Sequence, residues 1–311
     1  MRTQVLDDRS VPGFGSRLAS AVRRRESAIA VGLDPDPARL WRGGESVPSG
    51  DPSVAAASAV TDHCRRVLDA TAPACVAVKL QSASFERLGP EGARALRDVA
   101  EHARQLDLLV LLDAKRGDID VSAASYAAAS FGGTDTPWGH VPGVGADAVT
   151  VAPYMGRDSI RPFLDAGRPL GGGAYVLVRT SNPGAADLQE HELADGEPVW
   201  ALTARLVAGL GDDGPDAGAP VSDVGAVVGA TAPDRLLRLR ELMPRTPFLL
   251  PGVGAQGGRV EDLAPAFAPG PGAALVTASR SIVGAAGDGH EDPATAARRA
   301  AEDLRALAQA L

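Results

Sequence analysis

The run Asp113-Ala114-Lys115-Arg116-Gly117-Asp118 follows directly on the apolar stretch Leu108 to Leu112. It sets two carboxylates around one ammonium at the end of a strand. Residues two apart on a strand share a face, so Asp113 and Lys115 project together, while Gly117 lets the backbone turn and re-aim Asp118. Alternating charge at such a point suggests chemistry. A second cluster, Pro251-Gly252-Val253-Gly254-Ala255-Gln256-Gly257-Gly258, has glycines close enough for backbone amides to approach a ligand that side chains would block. Arg280 adds a forked guanidinium matched to phosphate oxygens. Asp34, Lys79 and Ser181 each end an apolar run of their own.

Every one of these residues also has a purely structural reading. Asp34 before Pro35 starts a turn, Ser181-Asn182-Pro183-Gly184 is a turn sequence, and Lys79 is a strand end whose ammonium snorkels to water. Arg280 fits a surface ion pair, and the glycine segment fits a helix-entry loop. Asp113, Lys115 and Asp118 fit a structural ion network. What separates the readings is whether one fold brings these positions to one place.

Short β-rich runs recur with helical stretches between them: 28–33, 75–80, 108–112, 146–152, 174–178, 224–229, 247–250 and 273–277. Between or after them, 54–70, 91–106, 122–130, 159–166, 199–210, 234–242 and 294–311 carry helix formers with apolar residues every three or four positions. No helix stands out after the seventh strand. Eight such units predict a (β/α)8 TIM barrel, a single domain over residues 1–311, whose strands are buried on both faces and therefore read as continuous apolar runs. An N-terminal arm over about residues 1–15 and insertions over about 41–52, 131–145 and 211–222 are Gly, Pro and Asp rich and read as loops. In this fold the active site lies at the C-terminal ends of the strands, with phosphate bound after strands seven and eight. Asp34, Lys79, Asp113, Lys115, Ser181, the glycine segment and Arg280 all fall there.

Composition narrows the function classes. The chain has 311 residues and a formal net charge of -8, which argues against a nucleic-acid surface while leaving room for a locally positive pocket. Cys64 and Cys75 lack paired-ligand spacing and read as reduced, buried thiols. The N-terminus has no apolar signal-peptide core and no run approaches membrane-spanning length, so a cytoplasmic protein is expected. His63, His102, His140, His191 and His290 are dispersed, read as surface or loop residues, and suggest no metal site.

Taken in order, the Asp113 to Ile119 run, the Pro251 to Gly258 segment and Arg280-Ser281-Ile282 resemble the orotidine 5'-phosphate decarboxylase family in its longer bacterial form, type 2. The resemblance spans most of the chain. It implies that Lys79, Asp113, Lys115 and Asp118 form a charged catalytic network with Lys115 as proton donor. It also implies that Asp34, Lys79 and Ser122 bind ribose hydroxyls, Ser181 the pyrimidine, and Pro251, Gln256, Gly257, Gly258 and Arg280 the phosphate side. Residues 184–197 would be a lid over the base. Asp118 would reach the neighbouring subunit's site, making the active form a homodimer. No cofactor is expected.

The implied reaction removes carbon dioxide from C6 of orotidine 5'-monophosphate and leaves a carbanion far more basic than an amine. Its proton donor must stay charged, and carboxylate neighbours favour that. A Schiff-base lysine needs the reverse. Two alternatives stay open at this point. One is a magnesium-dependent sugar-phosphate decarboxylase or aldolase of the same barrel group, which shares the Asp-x-Lys-x-x-Asp run. The other is a non-catalytic barrel that binds nucleotides.

Overall fold

The computed structural model describes residues 11–41, 50–254, 257–287 and 291–311. Its strands, in chain order, are β1 (Ile29–Leu33), β2 (Ala77–Gln81), β3 (Leu109–Arg116), β4 (Gly133–Thr136), β5 (Gly139–Pro142) and β6 (Ala148–Val151). They continue with β7 (Gly173–Arg179), β8 (Val224–Val228), β9 (Phe248–Leu250) and β10 (Ala274–Ala278). All but β4 and β5 close into a parallel eight-stranded barrel in the order β1-β2-β3-β6-β7-β8-β9-β10, with β10 returning to β1. The predicted (β/α)8 barrel is the observed fold, and each apolar run supplies one of its strands.

The helices are α1 (Phe14–Arg25), α2 (Pro52–Thr71), α3 (Ser82–Glu86), α4 (Gly89–Gln105), α5 (Asp120–Ser130) and α6 (Arg157–Gly167). After these come α7 (Val199–Gly211), α8 (Leu236–Leu242), α9 (Ala264–Phe267), α10 (Arg280–Val283) and α11 (Pro293–Gln309). Local sequence starts several of them. Asp51 caps α2 by accepting from Ser53 N at 2.7 Å, with Pro52 at the first helical position, and Asp292 caps α11 through Thr295 N at 3.0 Å. Between the seventh and eighth barrel strands the described residues hold one 3-10 turn, Val260–Leu263, and the four-residue α9.

Strand alternation sorts the core into two bodies. On β3, Val110 and Leu112 face the helices with Val149, Val176 and Phe163, whereas Leu109 and Leu111 face the barrel axis with Ala148, Tyr175, Leu249 and Leu275. Phe14, Leu18 and Ala21 of α1 belong to the axial body. They plug the N-terminal end of the barrel, with Phe14 edge-on to Tyr175 at 5.7 Å between ring centroids.

The structure corrects the sequence reading in three places and gives one predicted loop a role. Residues 14–25, partly assigned to an arm, form α1; Phe14, Leu18, Ala21 and Val22 already carry the helical spacing. Residues 131–145, read as loop, contain the antiparallel hairpin β4–β5, whose mostly exposed faces offer no apolar alternation to reveal it. In the 211–222 insertion, buried Asp216 accepts hydrogen bonds from Gly15 N at 2.7 Å and Ser16 Oγ at 2.5 Å, and so holds the start of α1. His63 is buried on α2, where its Nδ1 accepts from Trp41 N at 3.1 Å; burial, helped by nearby Arg66, lowers its pKa to about 4. Cys64 and Cys75 are buried free thiols, as expected. Most of the 41–52 insertion, the first ten residues and His290 lie outside the described residues.

Candidate active site

The axial positions change character along each strand. On β3 they run Leu109, Leu111, Asp113, Lys115; on β2, Ala77, Lys79, Gln81; on β6, Ala148, Thr150. The charged layer therefore lies above the apolar one, at the C-terminal mouth. It forms part of the wall of a cavity of about 540 Å³, within the roughly 300–1,000 Å³ of small-molecule sites.

Asp113 is the hub of this layer. Its Oδ2 accepts from Lys79 Nζ at 2.8 Å and Gln81 Nε2 at 3.3 Å, and its Oδ1 accepts from Lys115 Nζ at 2.5 Å and Thr150 Oγ1 at 2.9 Å. Asp113 is only 6 % exposed. Burial alone would raise its pKa, but the Lys79 and Lys115 charges and their hydrogen bonds outweigh this and bring it down to about 2. Lys79, 7 % exposed, is opposed by burial in the same way, yet Asp113 and Asp34, whose Oδ1 lies 3.6 Å away, raise its pKa. Lys115 is the most accessible member, its side chain being 46 % exposed at the cavity wall.

Facing this cluster are Ser181, Asn182 and Gln189 beyond β7, Pro251 to Val253 beyond β9, and Ser279, Arg280 and Ser281 beyond β10. Arg280 is exposed and makes no ion pair with any described residue. By formal count the cavity carries Asp34 and Asp113 against Lys79, Lys115 and Arg280, an excess of one positive charge that suits an anionic ligand. The segment 181–197 is tied to the end of β7: Gln189 Oε1 accepts from Thr180 N at 2.9 Å, and Glu190 Oε1 accepts from Arg179 Nε at 3.0 Å.

Of the residues singled out in the sequence, Asp34, Lys79, Asp113, Lys115, Ser181, Pro251 and Arg280 meet around this one cavity. Asp118 and Ser122 do not line it. Asp118 Oδ1 accepts instead from Ile119 N at 2.9 Å, and Ser122 is exposed on α5. Within one subunit the charges thus alternate as Asp34–Lys79–Asp113–Lys115, and it is Lys79, not Lys115, that lies between two carboxylates. Gly257 and Gly258 also stay off the wall, and the amides of Gly254, Gly257 and Gly258 donate to Gly258 O, Gly254 O and Gly252 O within the loop rather than outward. Gly252 at φ 100°, Gly254 at φ 72° and Gly257 at φ 88° are where this turn needs glycine. Gln256 lies outside the described residues. Sequence reasoning overlooked Gln81, Thr150, Gln189 and Thr277. Gln81 sits two positions after Lys79 on the same strand face, a signal that was available; Gln189 reaches the cavity through loop folding that no spacing reveals.

The sequence model of the orotidine 5'-phosphate decarboxylase / HUMPS family matches residues 27–300. The chain belongs to this family. Among proteins named orotidine 5'-phosphate decarboxylase, that of Rhodopirellula baltica is 40% identical over 87% of this chain and 88% of its own length. That of Aromatoleum aromaticum is 40% identical over 94% of this chain and 97% of its own. The solved structure of Leishmania donovani OMP decarboxylase superimposes with a TM-score of 0.70 at 30% identity, covering 95% of this chain and 98% of that one. The family match covers all eight barrel strands of this decarboxylase-family chain, and with them every residue of the Asp113 cluster.

Proposed function

We propose that this chain is a carboxy-lyase of pyrimidine biosynthesis, acting in the cytoplasm without a cofactor to convert orotidine 5'-monophosphate to uridine 5'-monophosphate and carbon dioxide. The observation that carries this reading is the Lys79–Asp113–Lys115 chain on one wall of the cavity, with Arg280 across from it. Arg280 and the backbone around Gly252 take the phosphate, Asp34 and Lys79 the ribose hydroxyls, and Ser181 the pyrimidine. Bound at its remote phosphate, the ring is held in register with Lys115.

The bond from C6 to its carboxylate then breaks heterolytically. Carbon dioxide leaves, the electron pair stays on C6, and Lys115 Nζ gives C6 a proton, becoming a neutral amine that solvent reprotonates. As negative charge moves from the departing carboxylate onto C6, an ammonium aimed at that carbon gains interaction that the ground state lacks. A charge pair about 4 Å apart at an effective dielectric near 20 is worth roughly 4 kcal/mol, about a thousandfold in rate. Asp113, ionised between two lysines, fixes both of their charges in place.

The active unit in this reading is a homodimer. Asp118 and Ser122 lie outside their own subunit's cavity, beside exposed Ile119 and Val121, and Met155 lies against Gly117. Such apolar groups next to a polar functional residue are what a subunit interface covers. Asp118 then completes the partner's lysine cluster, with Ser122 four positions along the same edge.

A spectrophotometric assay for loss of orotidine 5'-monophosphate, run with and without a chelator, tests the reaction. Turnover unaffected by the chelator is expected. A magnesium requirement with activity on hexulonate phosphates would instead assign the sugar-phosphate chemistry, and uridine monophosphate binding without turnover would make the chain a binder. For the shared site, inactive Lys115→Ala and Asp118→Ala proteins are expected to recover part of the wild-type rate when mixed. Failure to recover despite proven subunit exchange would confine each site to one subunit.

A further inference from the structure

Lys115 stands in a backbone conformation that its residue type disfavours. Its φ is +47°, in the left-handed region where a side chain crowds the preceding carbonyl. At the same point the pairing of β3 with β6 slips: Leu111 and Leu112 pair with Ala148 and Val149, but the next pair is Arg116 with Val151. An extra stretch of β3 is thereby left opposite one position of β6, as in a bulge, and bulges re-aim side chains beside active sites. The Lys115 N–H has lost its place in the ladder.

Thr150 fills that place. Its Oγ1 accepts the Lys115 N–H at 2.9 Å and, with its one proton, donates to Asp113 Oδ1 at 2.9 Å. One hydroxyl therefore ties the backbone of Lys115 to the carboxylate that its ammonium meets. Thr150 is 1 % exposed and does not line the cavity, so it sits behind the reacting groups and touches no substrate. β-Branching suits it to a strand and restricts its χ1, which keeps the hydroxyl aimed at the bulge. A valine of the same shape would pack equally well and hold neither partner.

We infer that Thr150 is the positioning residue for proton delivery: its hydroxyl locks the bulge that turns Lys115 toward Asp113 and orients the carboxylate that carries it. The inference rests on Lys115 being the proton donor. Its loss would leave the lysine present but misdirected, lowering the rate of the chemical step more than substrate affinity, since the phosphate and ribose contacts come from other strands.

Purified Thr150→Val, Thr150→Ser and Lys115→Ala proteins, assayed on orotidine 5'-monophosphate with their melting curves recorded, test this. Loss of hydrogen bonds to charged partners predicts a kcat for Thr150→Val about ten- to hundredfold below wild type, with KM changed by less than about threefold. Thr150→Ser, which restores the hydroxyl, is expected within about threefold of wild type in both constants. A Thr150→Val enzyme with kcat within about twofold of wild type, or a folded Thr150→Ser enzyme impaired about tenfold, overturns the inference, and the serine variant decides it if the valine one does not fold. Turnover retained by Lys115→Ala would instead remove the proton-donor reading itself. If Lys115→Ala is inactive while Thr150→Val is unimpaired, only the role of Thr150 falls.

Discussion

At the N-terminal end of the barrel the axial positions carry Leu109, Leu111, Tyr175, Leu249 and Leu275 under Phe14 and Leu18. Two positions beyond Ala77, Leu111 and Ala148 of that axial body, strands β2, β3 and β6 carry Lys79, Asp113 and Thr150. The lower layer is held by shape; among the described residues one buried polar atom in each layer, Tyr175 Oη below and Thr277 Oγ1 above, has no hydrogen-bond partner. The upper layer is organised around one charge, with two ammonium and two neutral donors converging on the Asp113 carboxylate. The contrast teaches that one strand can be half scaffold and half reagent, and that damage to the two halves should be separable. Core truncations are expected to cost stability without touching chemistry, and truncation of the half-exposed Lys115 the reverse.

The strongest attempt to break that separation is Lys115→Ala. It removes a half-exposed side chain at the cavity wall, so turnover should fall by at least about a thousandfold while the melting temperature shifts by only a few degrees. Near-normal decarboxylation would remove Lys115 from its role, and an unfolded protein would show the upper layer to be scaffold as well. Phe14→Ala is the reciprocal case. It empties a wholly buried ring position in the plug and should cost about 3–5 kcal/mol in urea unfolding, with kcat of the folded enzyme within about twofold of wild type. A large loss of kcat in a variant of undiminished stability would mean that the plug reaches the chemistry.

The smallest effect is in acid, where the upper layer should also show a stability signature. Asp113 has its pKa lowered from 3.8 to about 2, so its carboxylate stabilises the folded state fully above about pH 3.8 and progressively less as pH falls toward 2. That lowering corresponds to roughly 2 kcal/mol. Unfolding free energies of wild type and Asp113→Asn, followed downward from about pH 5, should therefore differ in slope across that window. Equal slopes would assign the acid sensitivity to other carboxylates.

The same division explains what could be read from the sequence. The barrel strands are buried on both faces and announce themselves as apolar runs, and the charged residues that end those runs are conspicuous for breaking them. Asp113, Lys115, Lys79 and Asp34 are legible for that reason. Thr150 is not, because a threonine inside a β-rich run looks like any strand former until its hydroxyl is seen between Asp113 and the Lys115 amide. Gln189 and Asp216 act through loops, where position follows from the folded path and not from periodicity. The glycine segment after β9 misleads in the other direction: its composition suggests amides turned outward, yet three of them close the turn on itself.

The hold of Asp216 on the start of α1 sets a timetable for the growing chain. The helix is made first, but Gly15 and its capping carboxylate are 201 residues apart. At about 5–20 residues per second of synthesis, roughly 10–40 s separate the emergence of the two. Through that interval Phe14 and Leu18 face no completed barrel floor, so α1 leaves the ribosome well before the carboxylate that holds its start.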